Sequence, residues 1–192
     1  MLARRAKSTS LLLILLAGGI GILSSTQTWL TVTRADGGEP LEVAGNVALP
    51  VLAPLSLTAL ALSAAIALVG PVMRRVFAVI ALGVGVLMLV LTARVLLQHP
   101  MDTVAPALTT ATGLAGDSSL TAVVKAIATT AWPWLALVAW ILLVLGGALA
   151  LATAGRWTTG GRRYRTTSAP ADGPVDAVES WDELSRGSDP TR

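Results

Sequence analysis

Four apolar stretches, residues 8–30, 47–70, 76–97 and 131–154, are each long enough to cross a lipid bilayer as an α-helix. The hydrocarbon layer is about 30 Å thick and requires roughly 20 helical residues. Backbone polar groups find no water there, so a span of this kind must satisfy its own hydrogen bonds, which a helix does. The chain is therefore expected to be an all-α membrane protein, a four-transmembrane-helix bundle with a small outer cap of hairpin and loop and a mostly disordered cytoplasmic tail. What remains is an N-terminal stub (1–7), an outer loop (31–46), a tight inner turn (71–75), a second outer loop (98–130) and a tail (155–192). None of these has the length of a separate soluble domain.

The first span also has some features of a cleaved leader. Residues 1–7 are basic and residues 11–23 form a short apolar core, but Leu23-Ser24-Ser25-Thr26 offers no A-x-A-like cleavage site. The helix is read as retained.

Basic residues near the spans set the orientation, because they resist translocation. Arg4, Arg5 and Lys7 precede span one, Arg74 and Arg75 fill the turn between spans two and three, and Arg156, Arg162, Arg163 and Arg165 follow span four. The two opposite loops carry only Arg34 and Lys125. The expected topology has both termini in the cytoplasm of a bacterial cell, with the chain crossing its membrane several times. Trp29, Trp132 and Trp134 fall at the outer boundary and Trp157 at the inner one, where indoles prefer the headgroup layer. Trp140 lies deeper and is either packed or lipid-facing.

Helices in lipid associate through close packing, which small residues allow. Span two carries Ser56, Ala59, Ser63 and Ala67 at helical spacing, span four Gly146, Ala150 and Ala154, and span one Gly18, Gly19 and Gly21. Asn46 is placed to cap span two, Pro50 then falls in its first turn, and Pro54 is expected to kink it.

Arg94 is the one charge inside a span and so a candidate site. It lies 19 residues beyond Arg75, about 28 Å along a helix axis, and so near the outer boundary, where a long side chain snorkels to water. It is also nearly three turns from Gly83. If Gly83 packs inward, Arg94 faces the bundle and needs a partner such as Asp102.

Alternating apolar and polar residues on both sides of Asp36-Gly37-Gly38 predict a β-hairpin in the first outer loop, with Pro40 confining the return strand to an edge. In the second, Asp117-Ser118-Ser119 is expected to open a surface helix running towards Ala128. With no cysteine and one histidine, the chain offers no thiolate chemistry and no metal-ligand set, and no cofactor is expected. A net charge of +3 argues against nucleic acid as a partner.

The tail has three parts. Trp157, Arg162, Arg163, Tyr164 and Arg165 form a basic, aromatic strip suited to anionic lipid headgroups. Residues 166–178 are rich in Pro, Ala, Asp and Gly and read as a disordered linker. Ser180-Trp181-Asp182-Glu183 then has capping-box spacing and predicts a short helix over 181–186, ended by Gly187 and Pro190. So short a helix is unstable alone. Trp181, Asp182, Leu184, Asp189 and Pro190 are therefore the candidate docking residues for a cytoplasmic partner.

Arg156-Trp157, Gly161-Arg162-Arg163-Tyr164 and the run from Trp181 to Thr191 (W-D-E-L-S-R-G-S-D-P-T), with Thr28-Trp29, Gly45 and Trp132-Pro133-Trp134 upstream, resemble the tryptophan-associated transmembrane protein family of actinobacteria. The likeness extends over essentially the whole chain. Thr158-Thr159 departs from it, since the family often has proline and methionine there. The resemblance implies genes placed among those for tryptophan biosynthesis, and no catalytic residues to carry over. The expected function is a non-enzymatic membrane anchor or adaptor whose tail docks a partner. The alternative is a small transporter or exporter subunit for an aromatic or apolar metabolite, formed as a homo-oligomer.

Overall fold

The structure, a computed structural model, describes residues 2–97, 100–113, 116–157 and 185. Long helices α1 (Leu2–Thr26), α4 (Pro71–Leu97) and α7 (Trp132–Thr153) each have the length and apolarity to cross a membrane. A shorter apolar helix, α3 (Leu52–Leu68), runs beside them. Its 17 residues span about 25 Å.

Each helix has two long neighbours: α7 packs on α1 and α4, and α3 packs on α1 and α4. Small residues set these contacts. A Cβ on Gly21 would lie 2.3 Å from Ser56 Oγ and 2.6 Å from the Trp140 ring. One on Gly146 would meet Ile14 at 2.8 Å, and one on Gly147 would meet the Leu82 backbone at 3.0 Å. The helices therefore leave no room for a methyl group between them at these glycines, and dispersion between close backbones holds them where lipid offers no hydrophobic drive. Ser56, Ala59 and Ser63 of α3 are buried, as are Gly146, Ala150 and Ala154.

Along α1, Lys7 is level with Ala67, Leu11 with Ser63 and Gly21 with Ser56. Helix α3 thus follows antiparallel beside much of α1. Buried polar groups are answered locally. The Ser56 hydroxyl donates to the Leu52 carbonyl (2.6 Å), the Ser63 hydroxyl to Leu11 (3.4 Å) and the Trp140 indole N–H to Thr92 Oγ1 (3.0 Å). Trp140 is therefore a packed residue.

At one end the helices carry a cap. Strands β1 (Thr28–Arg34), β2 (Leu41–Ala44) and β3 (Val124–Thr129) form an antiparallel sheet in the order β2-β1-β3. With it lie α2 (Gly45–Ala48), α5 (Pro100–Thr112) and α6 (Asp117–Val123), and Val104, Leu108 and Leu120 close its core.

Several expectations are corrected. The fold is mainly helical, and the cap holds a three-stranded sheet where a two-stranded hairpin is expected. The hairpin does form, and the third strand completes it: a two-stranded ribbon is marginal alone. The surface helix ends at Val123, and residues 124–129 are strand; Val124, Ile127 and Thr129 are β-branched and favour the pleat. Stretch 47–70 is not one helix, since it breaks between Ala48 and Leu52, where Pro50 lacks an amide proton. Asn46 lies inside α2 and caps nothing; the α3 N-cap position is Val51, with no side-chain cap bond. Pro54 falls in the first turn of α3, where its missing donor costs no intrahelical bond, so no kink is required. Helix α4 begins at Pro71, so residues 71–75 are its first turn.

Candidate functional site

Chemistry is concentrated at the two ends of the bundle, and each end is organised around a buried tryptophan. At the cap end, α1 stops at Thr26 and β1 begins two residues later. The β1–β2 register slips between Thr28 and Leu30. This bulge turns Trp29 inward while Leu30 and Val32 also remain buried, which breaks simple alternation. The Trp29 indole N–H donates to the Ser24 carbonyl at 3.0 Å and to its hydroxyl at 2.9 Å. The Ser24 hydroxyl in turn donates to the Trp132 carbonyl at 3.3 Å. Gly45 closes the knot: a Cβ there would sit 2.5 Å from the Ser24 carbonyl and 2.7 Å from Trp29 Nε1. Thr28-Trp29, Gly45 and Trp132, far apart in sequence, are thereby brought to one place. Trp29 is a core residue, not a headgroup one; only Trp134 of this group is well exposed, at 55%.

At the other end, Arg74 lies in the first turn of α4 and is 2% exposed. Its guanidinium donates to Val69 O (2.8 Å), Ala154 O (3.2 Å) and Ile66 O (3.3 Å). These are carbonyls at the C-terminal ends of α3 and α7, where helix carbonyls lack their own partners and the helix dipole is negative. The planar fork of arginine can serve several acceptors at once, which a lysine ammonium in the same place cannot match.

The Arg74 guanidinium carbon also lies 4.7 Å from the centre of the Trp157 ring, within cation–π range. From α1, the Lys7 ammonium reaches Ala67 O (3.3 Å) and lies 5.9 Å from the same ring centre. The Trp157 indole N–H donates to Thr153 Oγ1 at 2.9 Å, and the Thr153 hydroxyl donates to Leu149 O at 2.6 Å. A 3-10 turn, Ala154–Arg156, carries Trp157 back under the bundle.

Trp157, expected among headgroups, is buried here and is held by Arg74 and Lys7. Arg74 was legible only as a topological charge. Its neighbours gave no sign that it would turn inward, although Gly70-Pro71 placed it one turn from the end of α3. Arg94 is exposed in the last turn of α4, where the helix dipole favours a cation. Gly83 is exposed too, with no atom within 4 Å of where its Cβ would be, so the inward-facing arrangement is not the one adopted. The Asp102 side chain lies outside the described residues. So do Arg162, Arg163, Tyr164, Arg165, Trp181, Asp182, Leu184, Asp189 and Pro190 and, apart from helical Ser185, the whole 181–186 segment.

Outside the helices, Asp36 sits at the hairpin tip. The Gly38 amide donates to one carboxylate oxygen at 3.0 Å, and the Arg34 guanidinium bonds the other. Both hold the Asp36 carboxyl below its usual range, the amide more than the guanidinium, against a small opposing effect of burial. Among the described residues no cluster of three or more His, Cys, Asp or Glu could hold a metal.

Long apolar helices joined by small residues, with polar side chains answered internally, define an integral membrane protein. The chain belongs to the tryptophan-associated transmembrane protein family, whose model matches residues 11–191. Neither the curated proteins nor the solved structures gave a match.

Proposed function

We propose that the protein is a four-span membrane anchor, with both termini in the cytoplasm of a bacterial cell, whose tail docks a cytoplasmic partner. The observation that carries this reading is the packing between the helices. Gly21, Gly85, Gly146 and Gly147 have no room for a methyl group without displacing a neighbour. A transporter needs a path lined by polar or broken helices near the middle of the membrane. Inside the bundle the Ser56, Ser63 and Thr92 hydroxyls are each bonded to a neighbouring group, and the charged side chains sit at the ends, which favours a rigid anchor.

Helix α3, with α2 and the turn between them, supplies the remaining span, since it runs beside α1 from Ala67 to Ser56. The docking function comes from the tail sequence, and an enzyme of tryptophan biosynthesis is the first candidate partner.

Topology is testable because the chain has no native cysteine. Single variants Ala3→Cys, Glu39→Cys and Thr191→Cys are treated with a membrane-impermeant maleimide in whole cells. Position 39 labels in intact cells; 3 and 191 label only after permeabilisation. Labelling of 191 from outside, or of 3 and 191 on opposite sides, refutes the arrangement. A photoreactive residue at 181 should crosslink one defined cytoplasmic enzyme in cells. No crosslink above that of a control at position 171 removes the adaptor role.

A further inference from the structure

We infer that the basic end of the bundle binds the headgroup of one anionic phospholipid beside the Trp157 turn, with Lys7 and Arg75 as the cations within its reach. This rests on the membrane-spanning reading above. The cations converge: Lys7 and Arg74 lie 5.9 and 4.7 Å from the Trp157 ring centre, and Arg75 Nη2 is 3.2 Å from where a Cβ on Gly155 would be. Three positive side chains from α1 and α4 thus surround one turn after α7.

No carboxylate answers them among the described residues. The one ion pair there joins Arg34 to Asp36 in the cap, and the acids of those segments, Asp36, Glu39, Glu42, Asp102 and Asp117, all fall in the two loops at the cap end. Lone helix carbonyls satisfy Arg74, but they carry no net charge.

The three cations differ in reach. Arg74 is buried and committed to Ile66, Val69 and Ala154, so it contributes field rather than contact. Lys7 is half-buried, with one bond to Ala67, and Arg75 is exposed. Both can present donors to a ligand arriving from outside the bundle.

The surroundings decide between a lipid and a free phosphate. Beside Arg75 on α4, Val72, Met73 and Val76 are 66%, 53% and 45% exposed. A ligand that pairs a phosphate with hydrocarbon chains fits charge and apolar flank together, whereas inorganic phosphate uses only the charge. Each basic group near a membrane surface adds roughly a fivefold factor in affinity for anionic lipid.

The test is native mass spectrometry of the full chain in neutral detergent, titrated with phosphatidylglycerol or with phosphatidylcholine of the same acyl chains. One phosphatidylglycerol per chain should be retained in clear excess over phosphatidylcholine. Lys7→Gln and Arg75→Gln should each lower that retention by roughly fivefold. Arg34→Gln, at the cap, should leave it unchanged. Circular dichroism confirms that each variant keeps its helices, and the two single variants test the site independently should one of them fail to fold.

Equal retention of the two lipids, or undiminished retention by both variants, overturns the site. Displacement of the lipid by an equal concentration of inorganic phosphate overturns its assignment to lipid. Cysteine labelling reports the topology independently, so a failed lipid site and a failed membrane arrangement are distinguishable.

Discussion

The cap end and the basic end use the same residue for different work. At the cap end Trp29 is a neutral donor: its indole N–H ties β1 to the end of α1, and Ser24 passes the connection to α7. At the basic end Trp157 also donates, to Thr153, but its ring lies beside two cations. The contrast follows from which helix ends meet there. Helices α3 and α7 finish at the basic end with unpaired carbonyls, and α1 and α4 begin there with arginine and lysine. A cation in the first turn of its own helix opposes that helix's dipole. Arg74 offsets the mismatch by bonding to the neighbours' C-termini. Antiparallel packing turns an unfavourable charge into a clamp between two helices.

That comparison is sharpened most by removing the clamp. Arg74→Met should destabilise the protein by about 3 kcal/mol or more, since bonds to a charged donor contribute roughly 1.5–3 kcal/mol each and the carbonyls left behind are buried. Arg74→Lys should recover only part of this. Unfolding in dodecyl sulfate measures both. A loss below about 1 kcal/mol for Met would mean that water reaches those carbonyls readily.

Next in size is the steric knot at the cap. Gly45→Ala should cost about 1–3 kcal/mol, because the new methyl meets the Ser24 backbone. A thermal midpoint unchanged from the parent would show that the α1–β1 junction yields easily.

Indole replacements separate the two ends more finely. Trp29→Phe loses a buried donor to Ser24 and should cost about 1–2 kcal/mol. Trp157→Phe keeps an aromatic face for Arg74 and should cost less than Trp157→Leu. Equal losses for the two Trp157 variants would remove the cation–π contribution.

Smallest is the response of the hairpin tip to acid. The Asp36 carboxyl titrates below its ordinary 3.8 in the folded state. Its stabilisation is therefore fully present above about pH 4 and is lost as pH falls through the lower folded value. Faster hydrogen exchange of the Gly38 amide in that range, absent in Asp36→Asn, is the expected observation.

How much of this was legible in the sequence depended on the kind of interaction. Hydropathy marked α1, α4 and α7 because lipid solvation acts on whole stretches. The hairpin was visible through Gly37, which takes φ +77 at the turn. Strand β3 was hidden because its partner, β1, lies about ninety residues earlier in the chain, and alternation over Val124–Thr129 is weak. Of the sites, the motif residues Trp29, Gly45 and Trp157 could be named but not placed, since burial depends on a bulge at Thr28–Leu30 and on a 3-10 turn. Arg74 read as one more positive charge, because nothing local distinguishes an arginine that faces water from one that turns under a neighbouring helix.

The carbonyls that hold Arg74 are synthesised at different times. Ile66 and Val69 precede it, whereas Ala154 follows 80 residues later. Ser24 likewise waits 108 residues for Trp132. Both locks therefore stay open until the last apolar helix leaves the ribosome and inserts between the earlier ones. A nascent chain stopped after Leu97 would leave the Ala154 side of the guanidinium unserved and Ser24 without its acceptor on Trp132.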